Sequence, residues 1–231
     1  MSRSDVGYND PTVHSPSIDG LAREGVRLDA CYTWSWCAPS RGAILSGRYP
    51  SMHGYQAGGD GGNDTTALDL RWNLLPQLLK QAGYRTSGAG KWHLGFPTKQ
   101  HLPGTRGFES WLGYLTGAED HYLHTQSHGG CAARDLWRVN STYSGPERDP
   151  ALFPRYSPYV FTQEAVMVID GHDTAYPLFL YLPYQNVHGP NQVPDVFFDA
   201  YPSEVCYPAP PAKTDRQTDR RTDRWKDWQT D

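Results

Sequence analysis

The first candidate reactive group along the chain is the thiol of Cys37. The stretch Cys37-Ala38-Pro39-Ser40-Arg41 continues as Gly42-Ala43-Ile44-Leu45-Ser46-Gly47-Arg48 and reads as a short helix with a cysteine at its mouth. Pro39 suits the first helical position, where its missing N–H costs nothing, and Gly47 suits a left-handed helix end. Ala43, Ile44 and Leu45 give the helix something to bury. A thiol placed there faces unpaired N–H groups and the positive end of the helix dipole, which together favour an anion. Arg41 lies one turn further in, with a planar fork that matches a tetrahedral oxyanion. The same pattern equally suits a buried cysteine ahead of an ordinary helix, since free cysteine is among the most buried residue types.

Two later clusters carry polar groups: the glycine-bracketed turn Gly90-Lys91-Trp92-His93-Leu94-Gly95, and Gln185-Asn186-Val187-His188-Gly189-Pro190. Taken singly, Lys91 is a solvated lysine, His93 a turn residue, His188 a loop histidine and Asp5 a loop carboxylate. His14, His53, His101, His121, His124, His128 and His172 fit no motif and are expected on the surface or in loops.

Elements must position these groups. Ser15-Pro16 looks like the start of a helix to Glu24, with Ile18, Leu21 and Ala22 inward. Val26 to Tyr32 alternates as a strand does. Residues 51–69 are polar and glycine-rich, a long loop. Asn73 can cap a helix carrying Leu74, Leu75, Leu78, Leu79 and Ala82, which Gly83 stops. A short strand follows over Tyr84 to Ala89. Residues 96–155 show no regular pattern. Tyr159 to Asp170 is helix-like, with Phe161, Ala165, Val166 and Ile169 on one side. The apolar run Pro177 to Leu182 predicts a strand buried on both faces, as in a parallel sheet. Helix and strand alternate, which argues for an α/β layered fold with a mostly parallel sheet. Cys37, the Lys91/His93 turn and His188 each follow a predicted strand, where open parallel sheets bind ligands. One convergent site is the expectation.

Composition bounds the rest. The chain has 231 residues, a net charge of −4, 23 Gly and 19 Pro, which disfavours a nucleic-acid protein and a helical bundle. No apolar stretch is long enough to span a membrane, and no signal peptide is visible at Met1. Four cysteines, Cys31, Cys37, Cys131 and Cys206, are too few for a disulfide scaffold. Asn63 and Asn140 head two N-x-S/T sequons, glycosylation sites in a secreted protein. Residues 1–212 are read as a catalytic portion and 213–231 as a charged, disordered tail built on a four-residue Thr-Asp-Arg repeat, a period that read-through of a short nucleotide repeat would give.

Together, the ordered motifs resemble the sulfatase family, and its arylsulfatase B-like branch most closely. The resemblance runs from about Asp5 to Asp195. It rests on Cys37-x-Pro39-Ser40-Arg41 with Leu45-Ser46-Gly47-Arg48, where Ser46 replaces the usual Thr, and on Gly90-Lys91-Trp92-His93-Leu94-Gly95. Supporting matches are Asp19 to Val26, Leu75 to Tyr84, Arg106-Gly107-Phe108, and Pro177 to Tyr181 leading into Val187-His188. The resemblance implies an alkaline-phosphatase-like α/β fold, incomplete at both ends, and hydrolysis of sulfate esters of aryl alcohols or of glycans such as N-acetylgalactosamine sulfate. It implies that a formylglycine-generating enzyme oxidises Cys37 to formylglycine, whose hydrated aldehyde attacks sulfur. Arg41 would hold that group, Lys91 would neutralise sulfate, and His93 would act as base. His188 would be a proton donor or sulfate ligand. Ca²⁺ would be held by Asp5 and the Cys37-derived oxygen, and the protein would be lysosomal or secreted.

Departures from the family pattern shape the remaining expectations. Ser4 stands where the family has the first of two consecutive metal-binding aspartates, and no counterpart of its later Asp-Asn pair or second lysine follows His188. Two ligands are too few for Ca²⁺, which takes six to eight oxygens. The chain as written is therefore expected to be inactive and poorly stable. Two alternatives stay open: a degenerate paralogue that binds sulfated sugars without cleaving them, and a phosphatase or phosphodiesterase of the same superfamily, which Cys37 disfavours because those use Ser or Thr.

Overall fold

The computed structural model describes residues 5–56, 65–128 and 131–199. The chain divides into two compact units, Met1–Ser35 and Trp36–Asp231. In the first, α1 (Pro16–Glu24) starts where the Ser-Pro pair predicts. The Ser15 hydroxyl accepts from the Gly7 N–H at 2.8 Å and donates to Asp19 at 2.8 Å, tying the preceding loop to the helix. Two expectations fail here. Ile18 and Leu21 are exposed, and Val26 to Tyr32 forms no strand, with Val26 and Tyr32 each 90% exposed. Alternation becomes a strand only when a neighbour completes the ladder, and no described strand pairs with this segment.

The second unit begins with α2 (Cys37–Ser46), α3 (Pro50–His53) and α4 (Leu75–Gln81). α3 is a correction to the expected 51–69 loop. The residue capping α4 is Leu74 rather than Asn73, because the Gln77 side chain folds back to accept the Leu74 N–H at 2.8 Å. Next come β1 (Arg85–Lys91), β2 (Ser110–Tyr114), β3 (Thr125–His128), β4 (Cys131–Arg134), β5 (Trp137–Val139) and β6 (Ser144–Pro146). α5 (Ser157–Asp170), β7 (Leu178–Tyr181) and α6 (Asp195–Phe198) complete the described order.

Five strands form one sheet in the order β6-β5-β2-β1-β7, while β3 and β4 pair as a separate hairpin. β1 runs parallel to β2 and β7, whereas β5 and β6 are antiparallel. The sheet is mixed rather than mostly parallel, and the 96–155 stretch, expected to be irregular, supplies three of its five strands, β2, β5 and β6, and the hairpin. β7 lies at the edge and is half-buried along its length, not covered on both faces. β1, flanked by parallel β2 and β7, has the sequence Arg-Thr-Ser-Gly-Ala-Gly-Lys, which lacks large apolar residues yet is buried from its second residue onward. Its glycines explain this: a Cβ on Gly88 would strike the Trp111 ring, so bulk comes from the neighbouring strand instead of from β1.

Two clusters of buried side chains flank the sheet. Ala38 and Leu45 of α2 join Trp92, Phe108 and Trp111 in one. Val160 and Phe161 of α5 join Ala89, Leu112 and Tyr114 in the other. The buried stripe of α5 is Val160, Phe161, Glu164 and Ala165, and Val166 and Ile169 face solvent. No helix among the described residues is long and apolar enough to cross a membrane.

Candidate active site

Cys37 is the first residue of α2, and Gly47 closes the helix in the left-handed conformation with φ 67°. Pro39 falls within the first turn, and Ala38, Pro39, Gly42 and Leu45 are the buried residues; Ile44 is exposed. The helix follows an extended segment without a strand, which corrects the expectation that one precedes it. Cys37 is half-buried and unbridged. Arg41 lies four residues on, so both side chains share one face of the helix. Arg41 Nη1 donates to the Lys91 carbonyl at 2.8 Å and to the Tyr181 hydroxyl at 3.3 Å. One guanidinium thus joins α2 to the C-terminal ends of β1 and β7.

The 91–95 segment is sewn down residue by residue. Lys91 N–H donates to the Pro183 carbonyl at 2.9 Å, Trp92 N–H to Tyr114 at 2.8 Å, and His93 N–H to Leu115 at 3.2 Å. Lys91 is the last residue of β1 rather than part of a turn, and it is 2% exposed. His93, also 2% exposed, takes a φ of 52°, uncommon for a residue with a side chain. Burial drives its pKa down to about 3, reinforced by the charges of Lys91, Arg41 and then His188. It is therefore a neutral imidazole at physiological pH, and the same couplings place Arg41, Lys91, His93 and His188 in one electrostatic neighbourhood.

His188 is exposed on the segment after β7. Its Nδ1 lies 2.8 Å from the Gly189 carbonyl. A carbonyl only accepts, so the ring proton sits on Nδ1 and Nε2 is left for proton exchange. Five of the sequence-predicted side chains, Cys37, Arg41, Lys91, His93 and His188, thus belong to the second unit, beyond the ends of β1, β2 and β7. Asp5 belongs to the N-terminal unit. Asn140 is exposed, its Oδ1 accepting from the Thr142 and Tyr143 N–H groups at 3.0 and 2.8 Å. Ser4, Asn63, Cys206 and the 213–231 tail lie outside the described residues.

Several neighbours of the site were not foreseen. Tyr114 sits opposite Lys91 in the parallel register of β1 and β2. Burial raises its phenol pKa, and Glu119 raises it further, while Arg41 opposes the shift. Tyr181 is raised by burial against the pull of Arg41. His53, His121 and His124 are buried, against the expectation of surface or loop positions. His124 Nδ1 lies 3.1 Å from Glu119 Oε1, both side chains fully buried. Burial lifts the Glu119 carboxyl well above its usual range and lowers His124 to about 4, so the pair is held as a neutral hydrogen bond rather than as ions. The terminal tyrosines of β1's two neighbours were the available signal in the sequence, but finding it required knowing which strands pair.

A formylglycine made from Cys37 would fit this setting: position 37 opens α2, half-buried, with Arg41 on the same helix face. Calcium does not find a shell here. No three His, Cys, Asp or Glu side chains among the described residues group as a metal site.

Comparison with known proteins places the geometry in context. The Sulfatase family model matches residues 1–220. Mouse arylsulfatase J is 37% identical over 200 residues, covering 86% of this chain and 33% of that protein. Mouse N-acetylgalactosamine-6-sulfatase is 31% identical over 200 residues, covering 82% of this chain and 38% of that protein. The crystal structure of Ps i-CgsB in complex with k-i-k-neocarrahexaose superposes with a TM-score of 0.75 and 27% identity, over 90% of this chain and 47% of that one. The chain spans about a third of the length of these curated relatives.

Proposed function

The chain belongs to the sulfatase family, and from that premise we propose that the cluster of Cys37, Arg41, Lys91, His93 and His188 serves hydrolysis of sulfate esters on a glycan. The observation that carries this is that Lys91 and Arg41 both act on the buried His93 imidazole, with Arg41 also bonded to the Lys91 carbonyl; two cations near one base suit a sulfate oxyanion. The glycan as substrate class is favoured by the relative named N-acetylgalactosamine-6-sulfatase and by the neocarrahexaose-bound neighbour.

In this reading Cys37 is matured by a formylglycine-generating enzyme, and the hydrated aldehyde supplies an oxygen nucleophile that a thiol cannot match toward sulfur. Lys91 offsets the negative charge of the ester, and Arg41 orients the group at position 37. His93, neutral because burial, Lys91 and Arg41 depress its pKa, accepts a proton. An arriving sulfate has the opposite sign to those two cations and strengthens His93 as a base. His188, with Nδ1 committed to Gly189, exchanges a proton through Nε2 with the leaving oxygen. The family reading calls for Ca²⁺ as its metal. The described side chains do not complete its shell, so the roles above are assigned without it. A lysosomal or secreted destination, with Asn63 and Asn140 glycosylated, follows from the same reading.

The test is secretion of the chain from cells that express the maturation enzyme. We expect mass spectrometry to find formylglycine at position 37, and the residual 4-nitrocatechol sulfate hydrolysis, kept low by the incomplete metal shell, to fall about 100-fold or more in Lys91→Ala. An unmodified Cys37, or hydrolysis indifferent to Lys91, overturns the proposal.

A further inference from the structure

His188 is exposed and lies on a segment without regular structure, which is a poor platform for a group that must meet a reacting atom. The segment is nevertheless anchored, through two glutamine side chains. Gln185 is 3% exposed. Its Oε1 accepts the Glu119 N–H at 3.2 Å, and its Nε2 donates to the Glu119 carbonyl at 2.7 Å and to His121 Nε2 at 3.0 Å. The side-chain amide thus pairs with one backbone residue as a neighbouring strand would, and spends both N–H groups doing so. Seven residues on, Gln192 Oε1 accepts the His121 N–H at 2.7 Å, and its Nε2 donates to Asp120 Oδ2 at 2.6 Å.

The two ends of the 185–192 segment are therefore fixed to three consecutive residues, Glu119, Asp120 and His121. These are in turn held from behind: the Ser157 N–H donates to the His121 carbonyl at 2.7 Å at the start of α5, and Glu119 bonds to His124. Inside the segment the His188 N–H donates to the Gln185 carbonyl at 2.9 Å, so the position of Gln185 is passed directly to the histidine. Asn186 adds a bond to the Tyr156 hydroxyl at 2.9 Å.

We propose that Gln185 and Gln192 are positioning residues that clamp the His188 segment onto residues 119–121 and hold the His188 imidazole at the site. The inference rests on the reading of His188 as a proton-exchanging group only for its consequence in catalysis; the clamp itself is a statement about geometry.

The full chain is compared with Gln185→Met and Gln192→Met, which keep bulk and remove the amides. Amide hydrogen exchange and the NMR signals of the His188 ring are read out. We expect exchange at the His188 N–H to rise about tenfold in either variant, and its ring signals to move toward those of free imidazole, while β1 and α5 amides stay within about twofold of the parent. Unchanged His188 exchange and ring signals in both variants overturn the clamp, as does a uniform rise across β1 and α5. Because Gln192 is only half-buried, its variant keeps the test valid where Gln185→Met fails to fold. Turnover of 4-nitrocatechol sulfate separates the two ideas. With both correct, the variants lose kcat at an unchanged KM; a His188→Ala protein with full turnover removes the catalytic reading and leaves the clamp to the exchange data.

Discussion

At Gly90 the chain adopts φ 123°, and the Pro183 carbonyl occupies the space a Cβ would need. Gly90's own carbonyl fills the corresponding space at Gly113, its register partner on β2. Two glycines side by side let three backbones approach closely where Lys91 leaves the sheet, and Lys91 then donates its N–H to Pro183. Replacing Gly90 with alanine adds a methyl against a carbonyl and imposes a backbone angle that L side chains rarely adopt. We expect Gly90→Ala to cost about 3 kcal/mol or more, from overpacking and backbone strain together. Urea denaturation measures this, and a loss under about 1 kcal/mol would show that the strand ends relax around the methyl. The chemistry around Lys91 thus depends on residues that have no side chain, which is why a scan for reactive groups passes over them.

Among elements, the seating of α2 decides where Cys37 and Arg41 point. Gly42, between them and the helix end, faces the His53 ring of α3, and a Cβ there would lie 2.9 Å from two ring atoms. His53 is held in turn by the Tyr55 N–H, which donates to its Nδ1 at 3.1 Å. Helix propensity alone predicts a gain of about 1 kcal/mol for Gly42→Ala. We expect instead a loss of about 1–3 kcal/mol, because the methyl drives α2 off α3. Gly42→Ala combined with His53→Ala should cost less than the sum of the single changes by at least about 0.5 kcal/mol; strict additivity in the double-mutant cycle would mean the two helices do not meet through this pair. Legibility in the sequence follows the same division. Helices α1, α2, α4 and α5 and strands β1 and β7 were visible because caps, prolines and apolar runs are local signals. Cys37, Arg41, Lys91, His93 and His188 were visible through motif order. The short strands β2 to β6 were not: β3 and β6 carry almost no apolar residues to make a pattern, and on β2 Trp111 fills space that Gly88 leaves. The inward face of α5 was displaced for a related reason: Glu164 takes a buried position beside Arg138, whose Nη1 donates to it at 3.2 Å, and no apolar pattern announces that.

For the molecule as a whole, four buried histidines and the raised carboxyl groups of Glu119 and Asp135 shape the response to pH. Burial is the largest cause lowering His53, His93, His121 and His124, with His93 near 3 and His124 near 4. On unfolding these rings regain a pKa near the usual ~6.5. Below that value the unfolded chain binds more protons than the folded one, so their stabilisation is complete above about pH 6.5 and is lost as pH falls toward 3 to 4. Glu119 and Asp135 act in the opposite direction. Burial raises both, so the folded chain keeps protons that unfolded carboxyl groups release above about pH 4. Their contribution is complete below that point and is lost as pH rises through the folded values. The two slopes oppose each other below about pH 6.5, where four histidines act against two carboxyls; above it the histidines have stopped titrating and any remaining slope is that of the raised carboxyls. We therefore expect thermal stability to peak at about pH 6–7 and to decline on both sides. Glu119→Gln, which keeps an uncharged partner for His124, should flatten the alkaline decline and leave the acid one, while His93→Asn should soften the acid decline alone. Calorimetry from pH 4 to 9 on the three proteins tests this. An alkaline decline that persists unchanged in Glu119→Gln would mean that Glu119 is ionised in the folded chain, and that the Glu119–His124 contact is an ion pair after all.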